Sequence, residues 1–89
     1  MIDCSDFRTY GNDGCNGGYQ ALAYLYSDDQ PIMATKDYGR YTAEDQTCSY
    51  DSSKGLVKAS GFSYITYNSP GEMQAAVMQG PISAAIYDN

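Results

Sequence analysis

The segment GCNGGY, Gly14–Tyr19, decides how the rest of this 89-residue chain is interpreted. The stretch from Tyr10 to Gly18, which contains most of this segment, consists mainly of Gly, Asn and Asp. These residues favour turns, and glycine alone adopts positive φ at no steric cost. The composition therefore predicts a compact, tightly turned loop at this point of the chain.

Three ligand-binding interpretations of this loop are disfavoured by its spacing. No GKS or GKT follows the glycines, as a phosphate-binding loop requires. Asn12, Asp13 and Asn16 lack the alternating spacing and the closing glutamate of an EF-hand calcium loop. The three cysteines stand 11 and 33 residues apart, with no CxxC pair and no histidine, so a zinc site is not expected. No metal or cofactor is predicted.

Apolar periodicity predicts a helix directly after the loop. Residues 19–26 (YQALAYLY) place Tyr19, Leu22, Ala23 and Tyr26 on one helical face. Pro31 ends this helix, because the residue before a proline disfavours helical geometry. Residues 32–55 carry no sustained period and are expected to form an irregular, tyrosine-rich loop.

The C-terminal third combines strand and helix signals. Residues 56–67 (LVKASGFSYITY) are rich in β-branched and aromatic residues, which predicts a strand with a bend at Gly61. Ser69, Pro70 and Glu72 fit a capping box at the start of a helix. Gly80 is placed to stop that helix in a left-handed cap. Residues 82–87 (ISAAIY) are then expected to form a short buried strand.

Composition limits the function classes. The net charge is −6 and only five residues are basic, which excludes a typical nucleic-acid-binding surface. No run of 18 apolar residues is present, so no membrane span is expected. The N-terminal residues have no apolar signal core, so we expect no targeting peptide within this chain. The histidine count is zero, which removes any histidine base or metal ligand from these 89 residues.

The three cysteines have two interpretations. In a reducing compartment they would be small buried hydrophobes or surface thiols. Their position in glycine-rich and irregular loops instead suits disulfides, which stabilise domains with a thin core. Of an odd number, two can pair and the third must find a partner elsewhere.

Four segments together resemble the papain-like cysteine peptidases, in particular the cathepsin L-like branch. They are IDCS at 2–5, GCNGGY at 14–19, YTAEDQTC at 41–48 and GPISAAI at 80–86. Their order and approximate spacing are those of the family, and the resemblance covers essentially the whole chain. It implies an α+β fold, the papain-like two-lobe fold in part. Residues 1–63 would belong to the helical lobe and residues 64–89 to the start of the β-barrel lobe.

The resemblance also implies a function. The family hydrolyses peptide bonds with a cysteine nucleophile and a histidine base. Those segments would lie before Met1 and after Asn89, so this chain is expected to be an internal fragment of a cysteine endopeptidase with no catalytic residue of its own. Peptide or protein substrates and the remainder of the peptidase domain are the implied partners. The implied location is lysosomal, vacuolar or secreted.

The residues that match the family's substrate-binding positions are expected to bind the peptide. The backbone of Gly18 would pair with the substrate near its scissile bond. Asn16 and Gly17 would wall the neighbouring subsite, Tyr19 and Gln20 would form the rim of an apolar subsite, and Ala85 would form its floor. Two of these have plain structural alternatives: Tyr19 as a helix residue packed on the core, and Ala85 as a core strand residue.

The family also pairs the cysteines that correspond to Cys4 and Cys48. The partner of Cys15 would lie upstream of this chain, so Cys15 is expected either to be a free thiol or to link two copies of the fragment. Other classes of function remain open: a non-catalytic papain-family relative, a stand-alone module that binds peptides in a tyrosine-rich groove, or a small structural domain stabilised by its disulfide.

Overall fold

The computed structural model describes residues 1–87 as a small α+β unit. Three helices and two short strands follow one another along the chain. They are α1 (Gln20–Asp29), β1 (Ile32–Met33), α2 (Thr35–Tyr38), β2 (Gly55–Val57) and α3 (Pro70–Val77). Two 3-10 turns, Gly14–Asn16 and Ser52–Lys54, lie in the connecting loops.

Helix α1 confirms the helix predicted after the glycine loop. It begins at Gln20, with Tyr19 as an extended N-cap residue, and buries Tyr26 and Ser27. It ends at Asp29, and Gln30 is extended, as expected for the residue before Pro31.

The expectation of an irregular segment between residues 32 and 55 is wrong in part. Strand β1 pairs antiparallel with β2, with Ile32 opposite Val57 and Met33 opposite Gly55 across an irregular register. Helix α2 follows β1 after one residue. These elements are two to four residues long, which is too short to produce a detectable period in the sequence.

Of the two strands predicted in the C-terminal third, the first is confirmed only at its start and the second is wrong. Of residues 56–67, only Leu56 and Val57 belong to a strand, and residues 82–87 form none. β-Branched and aromatic residues favour strands, but a strand exists only where a neighbour accepts its backbone hydrogen bonds. Within residues 1–87 that neighbour is β1, which extends over two residues.

Helix α3 begins where the capping signal predicts. The Ser69 hydroxyl accepts a hydrogen bond from the Glu72 amide at 3.4 Å, and Pro70 occupies the first turn. The reciprocal half of the box is not formed, because the Glu72 carboxylate accepts from the Thr66 amide at 2.9 Å instead. The helix ends at Val77, and Gly80 has φ +157°, which is not the left-handed cap that we expected.

The core is a small aromatic cluster around Tyr26, which is 3% exposed. Tyr10 packs edge-on against it at 5.1 Å between ring centroids, and Tyr50 does so at 6.4 Å. The Tyr50 hydroxyl donates to the Pro31 carbonyl at 2.9 Å, which fixes the ring beside β1. Burial raises the pKa of Tyr26 to about 12, with smaller contributions from neighbouring tyrosines.

The surface is large for the mass of the chain. The accessible area is 7186 Å², whereas a compact monomer of 9.7 kDa has about 5,100 Å². Large apolar side chains account for part of the excess. Those more than 80% exposed are Tyr67, Met78, Ile86 and Tyr87. The aromatic cluster therefore buries only a fraction of the apolar surface of the chain.

Candidate functional site

The glycine loop folds back on itself through its own backbone. The Asp13 amide donates to the Gly17 carbonyl at 2.9 Å, and the Asn16 amide donates to the Asp13 carbonyl at 2.9 Å. These bonds close the 3-10 turn at residues 14–16. Gly17 has φ +118°, a conformation that an L side chain rarely adopts, so the backbone itself requires glycine at this position.

The buried Asn12 side chain fixes the C-terminal end of the loop. Its Oδ1 accepts a hydrogen bond from the Tyr19 amide at 2.8 Å, just before α1 begins. Its Nδ2 donates to the Ser5 hydroxyl at 3.1 Å, and that hydroxyl donates to the Met1 carbonyl at 2.8 Å. Ser5 and Asn12 are 1% and 7% exposed. Two buried polar side chains are thereby satisfied while they hold the loop in place.

Gly18 lies directly on Asn12. A Cβ atom at Gly18 would come within 2.8 Å of the Asn12 Cγ atom, closer than real Cβ contacts allow. Packing inside the chain thus already requires glycine at this position. The close approach of a substrate backbone, which we expected as the reason, remains a prediction.

Asp45 fixes the N-terminal end of the loop from the other side. Its Oδ1 accepts a hydrogen bond from the Cys15 amide at 2.7 Å. Gly14 has φ +55°, and a Cβ atom there would meet the Asp45 Cγ atom at 2.7 Å. The carboxylate therefore occupies the space that the missing side chain leaves free.

The segment that carries Asp45 is itself anchored. Cys4 and Cys48 form a disulfide, as the family resemblance implied, with their Cα atoms 4.9 Å apart. The Asp3 carboxylate accepts from the Gln46 amide at 3.0 Å and from the Tyr38 hydroxyl at 2.7 Å. A covalent bond and a carboxylate at neighbouring positions therefore hold residues 45–48 against the N-terminal segment.

Four of the predicted binding residues meet at one open hollow of about 360 Å³, next to Met1 and Ile2. They are Gly17, Gly18, Tyr19 and Gln20. The Tyr19 side chain is 72% exposed, which contradicts its alternative as a residue packed on the core. Asn16 is exposed on the turn beside the hollow and does not line it.

Ala85 is not brought to this hollow. It is exposed and lies in the irregular segment that follows α3, so the alternative of a buried strand residue is wrong. That segment contacts α1 elsewhere, through a hydrogen bond between the hydroxyls of Tyr24 and Ser83. The structure thus joins the loop residues of the predicted site and leaves Ala85 outside.

Cys15 is an exposed, free thiol within the described part of the chain. Local desolvation, then a hydrogen bond and the negative charge of Asp45, raise the pKa of this thiol above its ordinary value. A raised pKa keeps the sulfur protonated at neutral pH and lowers its nucleophilicity. The chain contains no histidine to reverse this effect. The loop is therefore built for shape and hydrogen bonding, with no activated nucleophile at its cysteine.

Two residues of the site were not identified from the sequence. The spacing of Asn12 fits no calcium loop, and the signal for its actual role is that Asn side chains in glycine-rich loops commonly bond to nearby backbone groups. Asp45 lies 30 residues from Cys15 in sequence, and no local pattern connects the two. Among residues 1–87, no cluster of side chains suits a metal ion, and no helix has the length and apolar character needed to cross a membrane.

Comparison with known proteins identifies the family. The family model described as "Papain family cysteine protease" matches residues 1–89. The chain belongs to the papain family of cysteine proteases. It is 32% identical to a cathepsin L-like proteinase of Phaedon cochleariae, with 98% of this chain and 26% of that protein covered. It is 33% identical to human cathepsin L2, with 97% and 25% covered.

A solved structure supports the fold assignment. Digestive procathepsin L 3 from the larval midgut of Tenebrio molitor matches with a TM-score of 0.79 and 36% identity. The match covers 88% of this chain and 25% of that one. The structure is therefore a partial α+β piece of the papain fold. The chain spans about a quarter of the length of these papain-family relatives.

Proposed function

We propose that this chain is the middle segment of a cathepsin L-like cysteine endopeptidase, in which it binds the substrate backbone while the nucleophile and the base lie outside it. The observation that carries the proposal is the extent of the match. The family model accounts for every residue, yet the chain covers only a quarter of each relative described above. A chain of this kind contributes part of a substrate cleft and no complete Cys–His pair.

The free backbone at Gly18 supports the binding role. Within residues 1–87, its N–H and C=O groups form no hydrogen bond, although the groups on both sides of it are paired. An extended peptide adds to such an edge through backbone hydrogen bonds, and neighbouring side chains then select among peptides. Tyr19 and Gln20 are the neighbours on the hollow, and Asn16 stands on the turn beside it. Ala85 would join them only if the C-terminal segment moved or received further support.

The exposed apolar surface supports a second role, as a partner of the remaining peptidase domain. We assign residues 1–63 to the helical lobe and residues 64–89 to the β-barrel lobe. In a complete domain, further strands would pair with residues 58–67 and 82–87, which carry strand-forming sequences but no strand here. Side chains such as Tyr67 and Ile86 would then be covered.

The disulfide supports an oxidising or degradative compartment. Disulfides persist outside the cytosol, and the solved relative is described as a digestive enzyme of the midgut. We propose that the parent protein is lysosomal, vacuolar or secreted.

A non-catalytic papain-family relative is the second candidate, because the family match and the histidine-free sequence of these 89 residues fit it as well as they fit the endopeptidase. The coding sequence on either side distinguishes the two. A CGSCW-like segment upstream and a histidine followed by an asparagine downstream support the endopeptidase. Serine or glycine in place of the nucleophile supports the non-catalytic relative.

Peptide binding is tested on the chain itself. The ¹⁵N-labelled, oxidised protein is titrated with a capped dipeptide amide that carries a hydrophobic penultimate residue. Shifts confined to the amides of residues 16–20 support the proposed cleft. Shifts spread over α3, or none at millimolar peptide, contradict it.

A further inference from the structure

The backbone of the glycine loop, residues 11–18, does not hold the loop's shape by itself. Residues 11, 14, 17 and 18 are glycines, and glycine loses more backbone freedom on folding than any other residue. The loop's backbone bonds close one turn, at residues 13–17. The rest of its shape therefore depends on side-chain groups, one from the loop itself and one from a distant segment.

Two side chains supply these groups, one at each end of the loop. Asn12 holds the Tyr19 amide at 2.8 Å and Asp45 holds the Cys15 amide at 2.7 Å. Both anchors are linked by hydrogen bonds to the N-terminal segment, residues 3–5. Asn12 donates to the Ser5 hydroxyl, and Gln46, the neighbour of Asp45, donates its amide to the Asp3 carboxylate.

We propose that Asn12 and Asp45 are positioning residues, which clamp the loop so that the Gly17–Gly18 backbone is presented to an extended peptide. This inference rests on the proposed function. Neither residue needs to touch the peptide. Each acts through the amide that it holds, and together they fix the loop before any ligand arrives.

Asn12 acts by burial as well as by hydrogen bonding. Its side chain fills the space beneath Gly18 and leaves no room for a Cβ atom there. Truncation would leave a cavity under the loop and the Tyr19 amide without a partner, and the Ser5 hydroxyl would keep only its bond to the Met1 carbonyl. The peptide-facing backbone would then lose both its support and its orientation.

Asp45 is exposed, so its effect depends on how firmly it is held. A hydrogen bond from an amide to a carboxylate is stronger than a neutral one. The Cys4–Cys48 disulfide and the Gln46–Asp3 hydrogen bond already restrict residues 45–48. Asp45 therefore loses little further conformational entropy when it accepts the hydrogen bond from the Cys15 amide. Apparent peptide affinity falls in proportion to the fraction of loops in the competent shape.

The unaltered chain provides the first test. Amide hydrogen exchange should be about tenfold slower at Cys15 and Tyr19 than at Gly18, whose amide is unpaired. Equal exchange rates at the three amides overturn the proposal without any substitution, so a variant that does not fold leaves the test intact.

Substitutions provide the second test. Asp45→Ala should release the Cys15 amide and weaken binding of the capped dipeptide amide about tenfold. Asp45→Asn keeps an oxygen acceptor, so it should restore most of the protection and of the affinity. Glu44→Ala is the matched control, because it removes the adjacent negative charge and has no contact with the loop amides. Asn12→Ala should act on the Tyr19 amide in the same way.

The outcomes separate the two proposals. Loss of amide protection with unchanged peptide affinity overturns the positioning role, as does an equal effect of Glu44→Ala and Asp45→Ala. If the variants release the amides but the unaltered chain binds no peptide, the clamp is supported and the proposed function is refuted.

Discussion

Removal of the Cys4–Cys48 disulfide should unfold the isolated chain. The two cysteines are 44 residues apart in sequence. In the chain-entropy model, closing a loop of this length stabilises the folded state by about 4 kcal/mol. The substitution to test is the pair Cys4→Ser and Cys48→Ser in a Cys15→Ser background, so that no free thiol remains to form other bridges.

The chain has little stability with which to absorb this loss. Ordinary domains are stable by about 5–15 kcal/mol, and here one buried aromatic residue, Tyr26, forms the centre of the core. The bridge also holds the segment of Asp45 and Gln46 in contact with the loop and with Asp3. We therefore expect the variant without the bridge to have no cooperative transition at 25 °C.

The assay is urea unfolding followed by circular dichroism and tyrosine fluorescence. The matched control is Cys15→Ser alone, which removes an exposed thiol and should change the free energy of unfolding by less than about 0.5 kcal/mol. If the bridgeless chain needs an osmolyte to fold, both proteins are measured in it. Unfolding midpoints that coincide with and without the bridge would refute the reasoning.

We make four further predictions, which concern tyrosine titration, thiol reactivity, glycine substitutions and the lack of hydrolysis by the isolated chain. Burial raises the pKa of Tyr26 to about 12, so the stability that its protonated form contributes is complete below about pH 10 and is lost as the pH rises towards 12. Phenolate absorbance should show a tyrosine that titrates near pH 12, and Tyr26→Phe should remove that step. Asp45→Asn should lower the pKa of the Cys15 thiol and speed its alkylation by iodoacetamide at pH 8, because desolvation and the Asp45 carboxylate raise that pKa in the unaltered chain; an unchanged pH–rate curve contradicts this. Gly18→Ala should destabilise the chain by about 1–3 kcal/mol through its clash beneath the loop, whereas Gly71→Ala in α3, where a Cβ meets open space, should be neutral or stabilising by up to about 1 kcal/mol; thermal melts compare the two. The chain alone should not hydrolyse a fluorogenic dipeptide substrate, since it has no histidine; turnover that survives repurification and disappears on Cys15→Ala would contradict this.

Local sequence determined the features that depend on neighbours along the chain. The apolar stripe of residues 19–26 and the Ser69–Glu72 capping signal correctly predicted α1 and the start of α3. The glycine-rich composition predicted the loop, because positive φ values are a property of the single residue. The four family-like segments correctly indicated the papain family and the Cys4–Cys48 pair.

Tertiary structure decided what depends on residues distant in sequence. The strands expected at 56–67 and 82–87 have strong local propensity, but a strand also needs a partner, and β1 provides one only to Gly55–Val57. Tyr19 and Ala85 each had a plausible packed alternative, which only the observed exposure removed. The role of Asp45 was hidden for the same reason. A polar side chain shows its type in the sequence, whereas the amide that it holds is set by how the chain folds around it, and for Asp45 that amide lies 30 residues away.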